Sequence, residues 1–312
     1  MPDRLALIFP GQCCQYLGMG HDLYQRYPEA RAVFDEANQL LGLELSRICF
    51  EGPEEELHDT INTQPAILTM SLATLEALKG QHQVQEIAFA AGHSLGEYSA
   101  LVASDHISFA DAVRLVRERG RLMKTAGENR PGGMVAVLGL EAQVVDEACQ
   151  LAGEETGTVV QVANYNSPGQ IVISGEQEGL EKAMKLVKYK GARRVVRLAV
   201  SIASHSPLME SAAQGLRQVM ARLVFQETRL PVVANVTAEP LGSPEEVQEE
   251  LVKQLVSPVE WIDSVRYMLN HGVTTFVEIG PGDVLTQLIK RIDPQVARIN
   301  VGDVAGVEAW GT

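Results

Sequence analysis

Ile87-Ala88-Phe89-Ala90-Ala91-Gly92-His93-Ser94-Leu95-Gly96-Glu97-Tyr98-Ser99-Ala100-Leu101-Val102-Ala103 is the stretch on which the reading of this chain turns. A short apolar run, a serine between two glycines and a helix-forming segment follow without a gap. That order predicts a strand, a sharp turn and a helix, the setting of a nucleophile elbow. Glycines belong at such a turn because backbone and side chains crowd there, and the turn presents the Ser94 hydroxyl at a strand's C-terminal edge. The helix that begins at once aims backbone N–H groups at the same spot, where negative charge is stabilised. A glycine-flanked serine alone also fits an ordinary turn; the two flanks are what favour a catalytic Ser94.

Outward from the elbow, short apolar runs alternate with longer amphipathic segments. Residues 5–9 read as a strand ended by Pro10-Gly11, and residues 28–41, 65–79 and 109–125 read as helices. This rhythm predicts an α/β protein with a mainly parallel sheet covered by helices. From residue 132 the rhythm changes. Strands are expected at 134–138, 159–165, 170–174 and 194–199, and helices at 141–151 and 178–189, with a turn at Asn166-Ser167-Pro168-Gly169. The order βαββαβ is a ferredoxin-like pattern. The first rhythm resumes with a strand at 231–236, a helix at 245–255, a strand at 275–279 and a last helix ending at Arg291. The expected organisation is a discontinuous large domain, residues 1–130 and 201–312, interrupted by a small domain at 131–200.

The chain has 312 residues, 46% hydrophobic and 21% charged, with a formal net charge of −14. That charge argues against nucleic-acid binding or a basic membrane-surface role, so an anionic partner needs a local basic patch. The cysteines, Cys13, Cys14, Cys49 and Cys149, form no CxxC pair and no histidine spacing suggests zinc, so no metal is expected. The apolar stretch after Met1-Pro2-Asp3-Arg4 is too short for a signal peptide, and no run approaches the ~20 apolar residues of a membrane span. A cytoplasmic location is expected.

Two residues outside the elbow stand out. With residues 111–124 drawn as a helix, Ala112, Leu115, Val116, Leu122 and Met123 fall within about 60° of Arg119, while Arg114, Arg117, Glu118 and Arg121 point away. A cation in an apolar stripe is costly unless something anionic meets it. It is either paired with a protein carboxylate, snorkelling at the core edge, or holding a ligand's carboxylate with its planar fork. A nucleophilic serine also needs a base, most often histidine. Of the seven histidines, His205 lies where the inserted module returns to the main domain, and clefts between domains favour ligands. The alternative is an exposed loop histidine.

The residues also resemble a known family, the malonyl-CoA:acyl carrier protein transacylases of fatty-acid and polyketide synthesis. The resemblance is carried by Phe9-Pro10-Gly11-Gln12, Thr63-Gln64-Pro65-Ala66, the elbow from Gly92 to Leu101, and Arg119-Gly120. It continues through Asn166-Ser167-Pro168-Gly169-Gln170, Ser204-His205, Gln254-Leu255 and Glu278-Ile279-Gly280-Pro281-Gly282. It implies an α/β-hydrolase-like large domain with a ferredoxin-like insert. It also implies that Ser94 forms the acyl-enzyme, His205 is the base and the Gln254 carbonyl orients it. Backbone amides of Gln12 and Leu95 would make the oxyanion hole, Arg119 would bind the malonyl carboxylate, and Asn166 and Gln170 would line the cleft. The implied partners are malonyl-CoA and an acyl carrier protein with its phosphopantetheine thiol, and no cofactor or metal is implied.

Two departures from the family pattern mark places to inspect. Cys13-Cys14 stands where a glycine and a small residue are usual, although cysteine tolerates positive φ poorly. Either small apolar side chains fill the space or a thiol lies at the mouth of the site. The ending Ile202-Ala203-Ser204-His205 resembles selectors of branched units, which keeps methylmalonyl as an alternative to malonyl. A hydrolase of the same family is a further alternative; Asp105, Asp111 and Asp146 fall where a triad acid would come in chain order. Lys185, Lys188, Lys190, Arg193, Arg194 and Arg197 cluster at the end of the small module and are expected to face an acidic carrier.

Overall fold

The computed structural model describes residues 4–82 and 87–310. Met1 to Asp3, read above for a leader, and the outermost residues of the expected domain limits lie outside the described residues. Among the described residues nine strands form two sheets: β1 (Leu5–Phe9), β2 (Ile87–Gly92), β3 (Gly132–Leu138), β4 (Val160–Ser167), β5 (Gln170–Glu176), β6 (Arg194–Arg197), β7 (Val232–Val233), β8 (Thr275–Ile279) and β9 (Ala297–Val301). One sheet has the order β7-β2-β1-β8-β9 and every pairing in it is parallel. The other has the order β4-β5-β3-β6 and is antiparallel throughout.

Burial explains the difference between the sheets. Successive residues of β1 serve opposite cores: Leu7 and Phe9 join a large cluster with the Thr60–Gln81 helix, Ala6 and Ile8 a second cluster around Trp261 and Phe276. A strand buried on both faces reads as a continuous apolar run, as Leu5–Phe9 does. In the antiparallel sheet, β3 alternates buried and half-buried residues. Its inward side chains Val135 and Val137 pack with Ile171, Ile173 and Leu180 in a separate core under the Ala142–Thr156 and Gln177–Tyr189 helices.

Several expected elements change length for local reasons. The helix expected from Pro65 starts at Thr60, because Asp59 caps it by accepting the Ile61 N–H at 3.2 Å; Pro65 is carried inside it. The strand expected at 231–236 shrinks to β7, because the next amides turn away from the ladder, Ala234 N–H to Glu239 and Asn235 N–H to Glu97. The expected turn after Asn166 tightens to Pro168-Gly169, with Gly169 at φ +71° and Ser167 paired to Gln170. Strand β9 and the Glu210–Met220 and Trp261–Asn270 helices were not anticipated. Among the described residues no helix is long and apolar enough to cross a membrane.

Candidate active site

Strand β2 ends at Gly92, and the Gly96–Ala103 helix begins four residues later, so Ser94 occupies the apex of the turn. Two glycines make that turn possible. A Cβ added at Gly92 would lie 1.9 Å from the Gly96 carbonyl carbon, and one at Gly96 would lie 2.0 Å from the Phe9 oxygen. Ser94 itself is held at φ +51°, a strained value for a residue with a side chain. Asn235 sustains it: its Oδ1 accepts the Ser94 N–H at 2.7 Å and its Nδ2 donates to the Gly92 carbonyl at 2.6 Å.

His205 comes to this apex from far along the chain, also at positive φ (+57°), and is 3% exposed. Its Nδ1 lies 2.7 Å from the Gln254 carbonyl, and its Nε2 lies 2.8 Å from Ser94 Oγ. A carbonyl only accepts, so Nδ1 carries the hydrogen and the bare Nε2 accepts from the serine hydroxyl. Burial, and after it the nearby Arg119 cation, push the His205 pKa down to about 3. The resting imidazole is therefore neutral, the form a general base requires.

Arg119 is 1% exposed on the Phe109–Asn129 helix, as its place in the apolar stripe implies. Among the described residues no carboxylate pairs with it directly. Its Nη1 donates to Gln64 Oε1 at 2.9 Å, and its Nη2 donates to Gln254 Oε1 at 2.9 Å and to Ser94 Oγ at 3.3 Å. Its guanidinium carbon lies 5.3 Å from the Tyr98 ring centroid. Neutral amide oxygens hold the fork in place without cancelling its charge, so it faces the serine as a cation. Of the alternatives left open by the sequence, the direct ion pair and the snorkelling arginine are both set aside.

These groups open on a cavity of about 700 Å³ whose lining includes Gln12, Ser94, Leu95, Arg119 and His205. Residues of the antiparallel sheet, Met134, Ala136 and Val172, face the same space, so it lies where the two sheets' regions meet. Among the described residues, neither the Gln12 nor the Leu95 backbone N–H meets an acceptor in the protein. Asn166 and Gln170 also line the cavity. Asn166 Oδ1 accepts from His93 Nε2 at 2.7 Å, while Gln170 Oε1 accepts from Arg291 at the rim. Cys13 does adopt the conformation that cysteine disfavours, at φ +81°; its side chain reaches solvent while Cys14 is buried. Surrounding protein raises the Cys13 thiol pKa above its ordinary value, which works against a reactive thiolate.

None of the three aspartates considered as a triad acid meets His205. Asp111 is engaged with its helix cap, Asp146 accepts from the Tyr165 hydroxyl at 2.8 Å, and Asp105 sits at φ +62° after a helix. Among the described residues no group of three or more His, Cys, Asp or Glu side chains could hold a metal ion. Sequence reasoning missed Asn235 and the role of Glu97 as acceptor. Glu97 stood in the quoted elbow, whereas nothing local marks Asn235.

A serine, a neutral histidine and a caged cation are the kinds of group that acyl transfer calls for. The chain belongs to the acyl transferase domain family, which it matches over residues 6–308. It is 44% identical over 306 residues to the malonyl CoA-acyl carrier protein transacylase of Bacillus subtilis (strain 168), covering 98% of this chain and 96% of that one. Among solved structures, a malonyl-transacylase in complex with a type II polyketide synthase acyl-carrier protein superposes with a TM-score of 0.95 at 41% identity, covering 98% of both chains. The malonyl CoA-acyl carrier protein transacylase of Coxiella burnetii gives a TM-score of 0.95 at 37% identity, over 99% of this chain and 96% of that one. Within the acyl transferases, the chain is thus a member of the malonyl CoA-acyl carrier protein transacylase family.

Proposed function

We propose that this chain moves a malonyl group from malonyl-CoA to the phosphopantetheine thiol of an acyl carrier protein. The observation that carries the reading is the Arg119 guanidinium, uncancelled and 3.3 Å from Ser94 Oγ. A malonyl thioester has a carbonyl at one end and a carboxylate at the other, and only a dicarboxylic acyl group satisfies both neighbours at once. An uncharged acyl group would leave the cation unpaired beside it.

In the first half-reaction Ser94 Oγ attacks the thioester carbon and its proton passes to His205 Nε2. The oxyanion that forms is met by the Gln12 and Leu95 backbone amides, each a donor of roughly 3–4 kcal/mol if suitably aimed. The C–S bond breaks, and the CoA sulfur leaves with the proton from His205. In the second half the carrier's thiol gives its proton to His205 and attacks the malonyl ester. Ser94 then leaves and recovers the proton. The Gln254 carbonyl keeps the imidazole in the useful tautomer, in place of a triad carboxylate. Among the described residues no carboxylate meets His205 directly, and a carbonyl in that place favours transfer over hydrolysis by a triad.

The scaffold fits this division of labour. We read residues 1–130 and 201–312 as an α/β-hydrolase-like catalytic domain and residues 131–200 as a ferredoxin-like insert; the strand order β4-β5-β3-β6 and its private core support that reading. Lys185, Lys188, Lys190, Arg193, Arg194 and Arg197 are all exposed on the insert, a cationic surface suited to an acidic carrier in a chain of net charge −14. Four free cysteines suit a reducing compartment, and we place the chain in the cytoplasm. Intact-protein mass spectrometry after mixing with malonyl-, methylmalonyl- and acetyl-CoA tests the reading. A malonyl adduct on Ser94, discharged by a carrier thiol and persistent in water, is expected. A preferred methylmalonyl adduct would move the substrate to the branched unit, and rapid loss to water would make the chain a hydrolase.

A further inference from the structure

Beneath the elbow lies a cluster of buried polar side chains that take no part in the bond-making steps. Glu97, Glu250, Asn235 and Gln254 are each 4% exposed or less. Glu97 is its hub. Its Oε1 accepts the Asn235 N–H at 3.0 Å and its Oε2 accepts from Gln254 Nε2. Burial, with Glu250 close by, pushes the Glu97 pKa up, while the hydrogen bonds it accepts from Asn235 and Gln254 and the nearby Arg119 cation favour the carboxylate. Asn235 and Gln254 in turn clamp the nucleophile's main chain, Asn235 at the Ser94 N–H and Gln254 Nε2 at the Ser94 carbonyl at 2.9 Å.

The side-chain amide of Gln254 has two nearly isosteric ends, and its neighbours decide which way it faces. On one side stand acceptors, Glu97 Oε2 and the Ser94 carbonyl; on the other stands Arg119, which only donates. Arg119 is aimed at Ser94 Oγ by the oxygens of Gln64 and Gln254. We propose that Glu97 is a positioning residue: by fixing the face of the Gln254 amide it directs the Arg119 cation to the carboxylate end of the acyl group, and so sets the preference for an acidic acyl chain. The inference rests on the roles proposed for Ser94 and Arg119. A glutamine at 97 cannot repeat the arrangement. With its oxygen on the Asn235 N–H, its own NH₂ opposes the Gln254 NH₂; with the amide reversed, the Asn235 N–H loses its acceptor.

The test compares acyl-enzyme formation from malonyl-CoA and acetyl-CoA in the full chain, in Glu97→Gln, in Gln254→Ala and in the double variant. Gln254→Ala removes the side-chain amide and keeps the carbonyl that orients His205. For Glu97→Gln, malonyl loading is expected to fall on the order of 10²-fold, the scale of a misaimed group, with acetyl loading falling far less. Because Glu97 acts through Gln254, adding Glu97→Gln to Gln254→Ala should change malonyl loading by less than about threefold. Equal losses for both acyl groups, or losses that multiply in the double variant, overturn the proposal. Should Glu97→Gln fail to fold, Gln254→Ala decides alone: retained malonyl preference overturns the route through its amide. Absence of a Ser94 malonyl adduct in the unaltered chain would instead bring down the reading of the site, and this inference with it.

Discussion

The floor under Ser94 and the outer edge of the insert both carry polar and charged groups, yet they obey different physics. Under Ser94 the groups are buried and interlocked: Glu97, Asn235, Gln254, Arg119 and His205 each bond at least one other member or the serine itself. At the edge of the insert Lys190 and Arg197 form loose exposed ion pairs, at 3.6 Å to Glu147 and Glu181, and Arg197 adds an exposed hydrogen bond to Gln177 Oε1 at 2.9 Å. In low dielectric a lost partner leaves a desolvated orphan, whereas water and salt fill the gap at an exposed edge. Damage should therefore be steep and non-additive in the first region, and gradual and salt-dependent in the second.

The sharpest attempt to break that contrast is Ser94→Ala, expected to lower transfer by at least about 10³-fold while folding is kept; residual adduct elsewhere, seen by peptide mapping, would move the nucleophile. Next comes Arg119→Ala. Truncating a buried, hydrogen-bonded cation that meets a carboxylate costs about 2–5 kcal/mol, so malonyl loading should fall roughly 10²-fold or more while acetyl loading persists. Equal loss for both acyl groups would make Arg119 structural.

A milder effect concerns pH. His205 titrates at about 3 in the folded chain against an ordinary 6.5. Between those values the unfolded chain binds the extra proton and the folded chain does not, so this group's contribution falls as pH drops from 6.5 toward 3. Thermal melts across that window should show His205→Ala to be less acid-sensitive than the unaltered chain; identical slopes would contradict the buried neutral imidazole. Reversing the charges of Lys185, Lys188, Arg193 and Arg194 should slow transfer to a carrier protein about tenfold at low salt and little at high salt, leaving loading from malonyl-CoA alone. An unchanged salt dependence would place the carrier elsewhere. Least of all, Cys13→Ser should alter loading by less than about twofold, since a small side chain suffices there.

What was legible in the sequence follows the same division between local and distant causes. The elbow, the β1 strand and the buried Arg119 each announce themselves within a dozen or so residues, through glycine spacing, an unbroken apolar run and a helical stripe. Strand β9 misleads: Ala297–Val301 alternates apolar and polar residues, but over only five positions, and at this sheet edge Ala297 and Ile299 are exposed, so the alternation marks no buried face. The early start of the Thr60–Gln81 helix was hidden by a polar first turn whose signal was the single cap Asp59. Asn235 matters because folding brings the end of β7 against the turn after β2, and no pattern around residue 235 encodes that meeting. Its place at the return from the insert singled out His205, whereas Gln254 came only from the resemblance to the transacylases; their pairing also depends on a distant meeting.

The carbonyl behind His205 has a chemical corollary. Without a formal negative charge beside it, the imidazole gives up an acquired proton readily and cannot store it. On the roles proposed, so weak a base serves both halves of the exchange: a thiol near pKa ~8.5 needs little help to leave, and when Ser94 is the leaving group an acidic imidazolium returns its proton readily. Swapping one thioester for another is close to isoenergetic, and such a site works as a reversible relay whose direction is set by the relative amounts of the two thiols.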